Sequence, residues 1–296
     1  MDTVYKKYYT NLYLKTGGFI PVSPLDNQVF PGDFFQVEHG EMKIVGNIFR
    51  DKVIDPDAIE FVFNTPLNPD SWNINYGVDR PYFGIKDTQG NFEDKEYYSQ
   101  LFSFKERGSF FFKGIAPKAT KIINWNLVEA ELILKLTQYN YSFREVYLVT
   151  EAAHMKSWTL AVADNEEAEL EISSRSKEIN IDDIFSHEAS KAIHAKNMEC
   201  YRKEINPKLS FFKAKKLCSR EQRDFQFGYD TTAIQNTLVD WANGFYNFDF
   251  RVNGNQLKQS PIPLIDRLKG NELNPTTALE FFHWIDCSLD DLEKLF

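Results

Sequence analysis

Histidines, cysteines and paired carboxylates are the residues of this chain best suited to chemistry, and their spacing decides what they can do. His187-Glu188 opens the run HEASKAIH, which ends at His194. Two zinc-binding histidines on one helical face stand four residues apart, and these stand seven apart. They are read as surface residues of a basic helix, without a metal. His39, His154 and His283 have no histidine near them in sequence. Asp182-Asp183 and Asp290-Asp291 each precede or open a helix-like run, where negative charge complements the helix dipole. Capping is therefore preferred to general acid–base work. Cys200, Cys218 and Cys287 are too few and too scattered for a disulfide framework or a zinc knuckle. Cys200, in NMECYRKE, has basic neighbours of the kind that lower a thiol pKa, but a bystander thiol is the simpler reading. No phosphate-binding or dinucleotide-binding glycine pattern occurs, and no serine or cysteine sits in a nucleophile context. The sequence predicts no enzyme, no cofactor and no metal.

Charge points elsewhere. The net charge is −9, which disfavours general nucleic-acid binding. From Ser186 to Arg223, however, ten Lys or Arg stand against four Glu, a local charge of +6. Such asymmetry marks either a solvated face balanced by acidic neighbours or a surface for an anionic partner. Within it, LSFFKAKKL (209–217) interleaves aromatics with bases, as does YKKYY near the N-terminus. That mixture suits an anionic membrane surface, single-stranded nucleic acid, or plain core packing beside snorkelling lysines. Lys203, Lys208, Lys213, Lys215 and Lys216 are the candidate lipid- or anion-binding residues. No apolar run approaches the ~20 residues of a spanning helix. The N-terminus lacks a signal-peptide core, which predicts a cytoplasmic chain.

The elements that position these residues are mostly strands. Twenty-six phenylalanines favour sheets and a large core. Residues 4–16 predict a helix ended by Gly17-Gly18. FFQVEHGEMKIVG predicts a hairpin turning near His39-Gly40. IEFVFN (59–64) reads as a strand, and 65–81 as loop. LFSFKERGSFFFKGI (101–115) reads as two strands around Arg107-Gly108. Residues 124–138 predict a helix capped by Asn124 or Asn126, with Leu127, Glu131, Leu134 and Gln138 on one side and Ile133 and Leu136 widening the apolar stripe. REVYLVTEAAHMKSWTLAV (144–162) holds two strand-like runs. In DNEEAELEIS, Ala168, Leu170 and Ile172 alternate with Glu167, Glu169 and Glu171, the cleanest half-buried strand. Residues 181–204 predict a helix. Residues 205–217 and 225–234 read as extended, 236–246 as helix, and 248–257 as a hairpin around Asn253-Gly254. The tail predicts a helix from Asn274 and a second in SLDDLEKLF, where Ser288 and Asp291 form a capping box. The expected fold is α+β: a twisted, largely antiparallel β-sheet with flanking helices and a short helical C-terminal tail. Residues 1–258 form one α+β body, and 259–296 a linker and helical tail.

Two stretches carry a family resemblance. EVYLVTE (145–151) resembles the YVVTE-type strand of gasdermins, and the following TLAVADNEEAELEIS is similar to their glutamate-rich strand segment. GGFIPVSPLDNQVFPGDFFQVEHGEMKIVGNIF (17–49) resembles the opening of bacterial gasdermins. The resemblance implies a pore-forming protein, kept soluble by a short C-terminal segment that proteolysis removes. It would be a monomer before activation and a self-oligomer after it. It would move from the cytoplasm to anionic membrane lipids and form a β-barrel that kills the infected cell, an antiviral defence. Phe281, Trp284, Leu289, Leu292 and Phe296 are the candidate residues of the inhibitory tail. Many bacterial members carry an acylated cysteine close to the N-terminus. Here the first cysteine is Cys200, so lipidation is not predicted. The competing reading is a non-enzymatic soluble module that binds protein, nucleic acid or glycan through the basic segment.

Overall fold

The computed structural model describes residues 3–25, 27–87, 96–138, 147–174, 191–205, 209–219, 279 and 282–295. After a 3₁₀ turn at Thr3–Tyr5 comes helix α1 (Lys6–Thr16), which buries Tyr8, Tyr9 and Leu12 on one stripe. Gly17 ends it in the left-handed region, φ 71°, and its N–H donates to the Tyr13 carbonyl. The strands are β1 (Ile20–Pro21), β2 (Asp33–Glu38), β3 (Glu41–Asn47), β4 (Phe61–Pro66), β5 (Ser71–Tyr76), β6 (Val78–Asp87), β7 (Glu96–Phe104), β8 (Phe110–Ile115) and β9 (Lys118–Ile122). Helix α2 (Trp125–Gln138) follows. Then come β10 (Tyr147–His154), β11 (Ser157–Ala163), β12 (Glu169–Ser174), β13 (Lys191–Lys196), β14 (Met198–Glu204), β15 (Phe211–Ser219) and β16 (Phe282–Asp286), and a last 3₁₀ turn at Asp290–Leu295.

Among the described residues, every strand pair is antiparallel, as expected. The first sheet is built around β10, the strand of the EVYLVTE stretch. β15 lies on one side of β10, with β1 and β16 end to end along its far edge. β2 and β9 lie end to end on the other side, backed by β3 and β4. The other two sheets run β5-β8-β11-β14 and β6-β7-β12-β13.

The first sheet packs on the β5-β8-β11-β14 sheet through the main core. Phe211 of β15 joins the two layers, its ring 5.7 Å from Trp72 and from Phe112 and 6.3 Å from Trp158. Ten of the largest side chains there and beside it are almost fully buried. Each contributes roughly 1.5–3 kcal/mol of transfer free energy, so these aromatics dominate the core. On its other face the first sheet carries α2, which buries Val128, Leu132 and Ile133 against Phe34, Ile48, Ile122 and Leu148.

Four sequence expectations are corrected. Residues 65–81 are not loop: β5 and the start of β6 lie there, because Trp72 and Ile74 alternate with polar residues and bury themselves in the core. Residues 181–204 were expected as one helix. Their described part is β13 and β14, joined at Asn197 (φ 54°) and bonded to the edges of β12 and β11. There the sheet ladder overrides helix-favouring lysines and glutamates. In α2 the buried stripe is Val128, Leu132 and Ile133, while Leu127 is exposed. Asn124 sits at the helix start, but its side chain serves the backbone of Ala58 and Glu60. The tail is the fourth correction. The helix expected to run to Trp284 gives way to β16, whose five residues pair with 215–219 of β15. A helix there would leave that edge unpaired. The Ser288–Asp291 capping box forms as read from the sequence, but it caps a 3₁₀ turn. The segments expected at 225–234, 236–246 and 248–257 lie outside the described residues.

Candidate functional site

Two features follow from this architecture: a long four-stranded ribbon and a basic strand edge covered by the tail. In the ribbon, each strand of one small sheet continues into a strand of the other: β5 into β6, β7 into β8, β11 into β12, β13 into β14. All four cross a bend at the same level. The outer strands cross it on one residue each, Gly77 (φ 63°) and Asn197 (φ 54°). The inner strands cross it on five-residue excursions, 105–109 and 164–168. The inner pair keeps one register throughout, from Ser103 opposite Glu169 to Phe110 opposite Val162. The outer strands do not. Between Tyr76–Phe110 and Val78–Phe104, the outer strand advances two residues and the inner strand six.

Beyond the bend the ribbon has two different faces. Phe102 stands opposite Leu170, and both are fully buried in a cluster with Phe104, Phe111, Ala161, Ala163 and Ile172. Glu169 stands opposite Ser103, and Glu171 opposite Leu101, on the other face. The Ser99 hydroxyl donates to the Glu171 carboxylate. The alternation is imperfect: Gln100 is buried on the apolar face and Leu101 lies on the polar one.

The basic edge is β15. Lys213 meets Glu151 at 3.4 Å and lies 4.5 Å from the Phe19 ring centre. Lys215 meets Asp286 of β16 at 2.6 Å and lies 5.6 Å from the Trp125 ring. Lys216 is paired with Asp291. The tail thus places two carboxylates on two of the candidate anion-binding lysines. Glu293 further approaches Lys6 of α1 at 3.6 Å. Lys203 is not part of this edge: it lies on β14 opposite Thr159. Lys208 lies outside the described residues.

Apolar tail residues grip both faces of the first sheet. Trp284 is buried among the α2 residues, its ring 5.6 Å from Trp125 in a T-shaped contact, and its Nε1–H donates to the Glu129 carbonyl at 3.2 Å. Leu292 and Leu295 are buried in the main core, with Leu289 packed against it. Phe281 and Phe296 lie outside the described residues. Tyr147, from β10, donates its hydroxyl to the Asp291 carbonyl at 2.7 Å.

Burial alone would raise the Asp291 pKa, but bonds from Lys216 and from the Ser288 amide and hydroxyl outweigh it and hold the carboxyl below its ordinary range. A depressed folded pKa gives stability that is complete above the unfolded value of ~3.9 and is lost as pH falls through the folded value. The tail is therefore expected to keep its Asp291 anchor at neutral and mildly acid pH and to loosen below about pH 4. Amide exchange of Ser288 and Asp291 across pH 3–6, corrected for intrinsic rates, checks this. Unchanged protection down to pH 3 would show that the contact does not anchor the tail.

The histidines and cysteines stay apart. His194 is exposed on β13, a strand and not a basic helix, and His187 lies outside the described residues. No cluster able to hold a metal occurs among the described residues. Cys200 is half-buried, and its burial pushes the thiol pKa up despite Arg202 nearby. Sequence reasoning missed the bend residues Gly77 and Asn197. Their only sequence signal is a glycine or asparagine between strand-like runs. Among the described residues no helix is long and apolar enough to cross a membrane.

No protein-family model matches the sequence, and no curated protein matches it. The chain is similar to two solved gasdermins. One is the gasdermin A3 membrane pore, at 10% identity and a TM-score of 0.32, covering 73% of this chain and 90% of that one. The other is a bacterial gasdermin from Bradyrhizobium tropiciagri, at 11% identity and a TM-score of 0.29, covering 71% and 85%.

Proposed function

We propose that the chain is a gasdermin-like pore-forming effector, held inactive by its C-terminal tail and activated when proteolysis removes that tail. The observation that carries this reading is the ribbon. A membrane-spanning β-strand needs ~9–11 residues, apolar toward lipid and polar toward the lumen. β6 and β7 have 10 and 9 residues, and Phe102, Phe104, Leu170 and Ile172 of the inner pair share one buried apolar face while Glu169 and Glu171 lie on the other. Two hairpins already aligned in one antiparallel sheet need no new pairing within the chain to enter a barrel. The resemblance of residues 17–49, 145–151 and 159–173 to gasdermins supports the same reading.

The tail's part follows from its chemistry. Asp286 and Asp291 occupy Lys215 and Lys216, so anionic headgroups and the tail compete for the same ammonium groups. Release of the tail frees both lysines and the edge of β15. Each base near an anionic surface contributes on the order of 1 kcal/mol. In this reading the protein is a cytoplasmic monomer until cleaved and oligomerises on the membrane.

Leakage of dye from anionic liposomes tests the proposal. The chain cut after Gly270 is expected to release dye, and the full-length chain is not. Changing Lys213, Lys215 and Lys216 together to Glu in the cut chain should weaken vesicle binding, read by flotation at low and high salt. A cut chain that aggregates without permeabilising any vesicle would overturn the pore-forming reading. Selective binding to single-stranded nucleic acid would favour the soluble binding module.

A further inference from the structure

The bend of the ribbon is touched by an element that does not belong to it. Lys7 of α1 pairs with Glu106, the second residue of the first inner excursion. The same ammonium lies 4.6 Å from the ring centre of Tyr76, the last residue of β5 before the bend. The Tyr76 hydroxyl also bonds to the Glu106 carboxylate. These contacts, with burial opposing them, hold the Glu106 pKa below its ordinary value. One turn earlier, the Val4 carbonyl lies so close to Gly108 (φ 77°) that an added Cβ there would come within 2.9 Å of it. The N-terminal turn and α1 are therefore seated on the excursion at two points.

Other charges at the bend act within the ribbon. Lys105 meets Asp79 at 3.2 Å, Arg107 meets Asp164 at 3.5 Å, and Lys196 meets Glu167 at 3.5 Å. Each joins one ribbon strand to a neighbour. Main-chain bonds do the same: Lys105 N–H to Gly77, Gly108 N–H to Ala163, Ala163 N–H to Ser109, and Asp164 N–H to Asn197. The Lys7–Glu106 pair differs because it fixes the bend to the body of the protein.

We propose that α1 is a bolt on this bend: the contact of Lys7 with Glu106 and Tyr76 holds the four-stranded ribbon bent, and withdrawal of α1 frees it to straighten. The bolt is defined without a membrane; its use in insertion rests on the pore-forming reading above. Lys6, one residue before the bolt, is the α1 residue that meets Glu293 of the tail. Departure of the tail therefore removes a contact from the same helix turn, which couples the two ends of the chain. Exposed ion pairs are screened by salt and individually weak, as a contact that must be released requires.

Amide exchange of the full chain in buffer tests this. Lys7→Glu and Glu106→Lys, made singly, are expected to speed exchange at Lys105, Gly108, Ser109 and Ala163 by about tenfold, a local opening. The double exchange of charges should restore protection. Amides in the β10–β15 pairing should keep their rates throughout. Single variants with unchanged exchange, or a double variant no better protected than the singles, would overturn the bolt. The unaltered chain supplies a check that does not depend on any variant folding. Raising salt to about 1 M, where screening acts over ~3 Å, should speed the same amides selectively. Equal rates at low and high salt would also overturn it. A positive exchange result with no dye release from the cut chain would reject the pore and leave the bolt in place.

Discussion

Replacing Trp284 by alanine is expected to detach the tail while the body stays folded. The indole is buried beneath α2, stacks edge-on against Trp125 and satisfies the Glu129 carbonyl. Truncating a buried aromatic costs about 3–5 kcal/mol, because transfer energy is lost and a cavity remains. Among the described residues β16, five residues long, is paired as a strand with β15 alone. The ion pairs of Asp286 with Lys215 and Asp291 with Lys216 lie near the surface and do not replace that loss, so β16 is expected to detach while Leu292 and Leu295 keep the last turn on the main core. Amide exchange should rise at residues 215–219 of β15 and stay slow at the β10 amides facing 211–214. If β15 keeps full protection in Trp284→Ala, Trp284 does not anchor the tail. If the body unfolds with it, the tail is core and the latch reading fails.

The second large effect concerns the ribbon. Leu170→Asp should cost several kcal/mol, a large part of a typical domain's stability, since it buries a carboxylate among Phe102, Phe111, Ala161 and Ala163. Glu169→Gln, one residue away on the opposite face, should change the melting temperature by only a degree or two, as surface substitutions do. The pair of melting curves reads the two-facedness of the sheet directly. Similar losses from both changes would show that both faces are buried and would remove the amphipathic ribbon from the argument.

Legibility in the sequence depended on where the determining partner sits. Strands with their own alternation were readable: DNEEAELEIS predicted β12, and FFQVEHGEMKIVG predicted the β2–β3 hairpin, because burial is periodic along the chain itself. Residues 191–204 were not, since KAIHAKNMECYRKE favours a helix locally and becomes β13 and β14 through bonds to distant β12 and β11. The β16 segment shows the same limit: FHWID carries no turn signal, and its strand form exists to complete an edge more than sixty residues back in sequence. The pairing of Lys215 and Lys216 with tail carboxylates was invisible for that reason. The lysines were legible as a cluster; the acids that occupy them were not. The bend was least legible of all, because Gly77 and Asn197 acquire meaning only when four strands cross at one level.

That crossing has a geometric consequence for motion. Across the bend each outer strand is four residues shorter than its inner neighbour: two against six between β5–β6 and β7–β8, and again between Ala163–Met198 and Glu169–Lys196. At ~3.3 Å per residue the deficit is about 13 Å of chain. A ribbon that closes this gap by sliding must move by an even number of residues, so every side chain returns to the face it left. A slide of one or three would drive Glu169 and Glu171 into the place of Leu170 and Ile172. Of the slides that would close a four-residue deficit, those of two or four residues keep the same apolar and polar sides, and those of one or three do not.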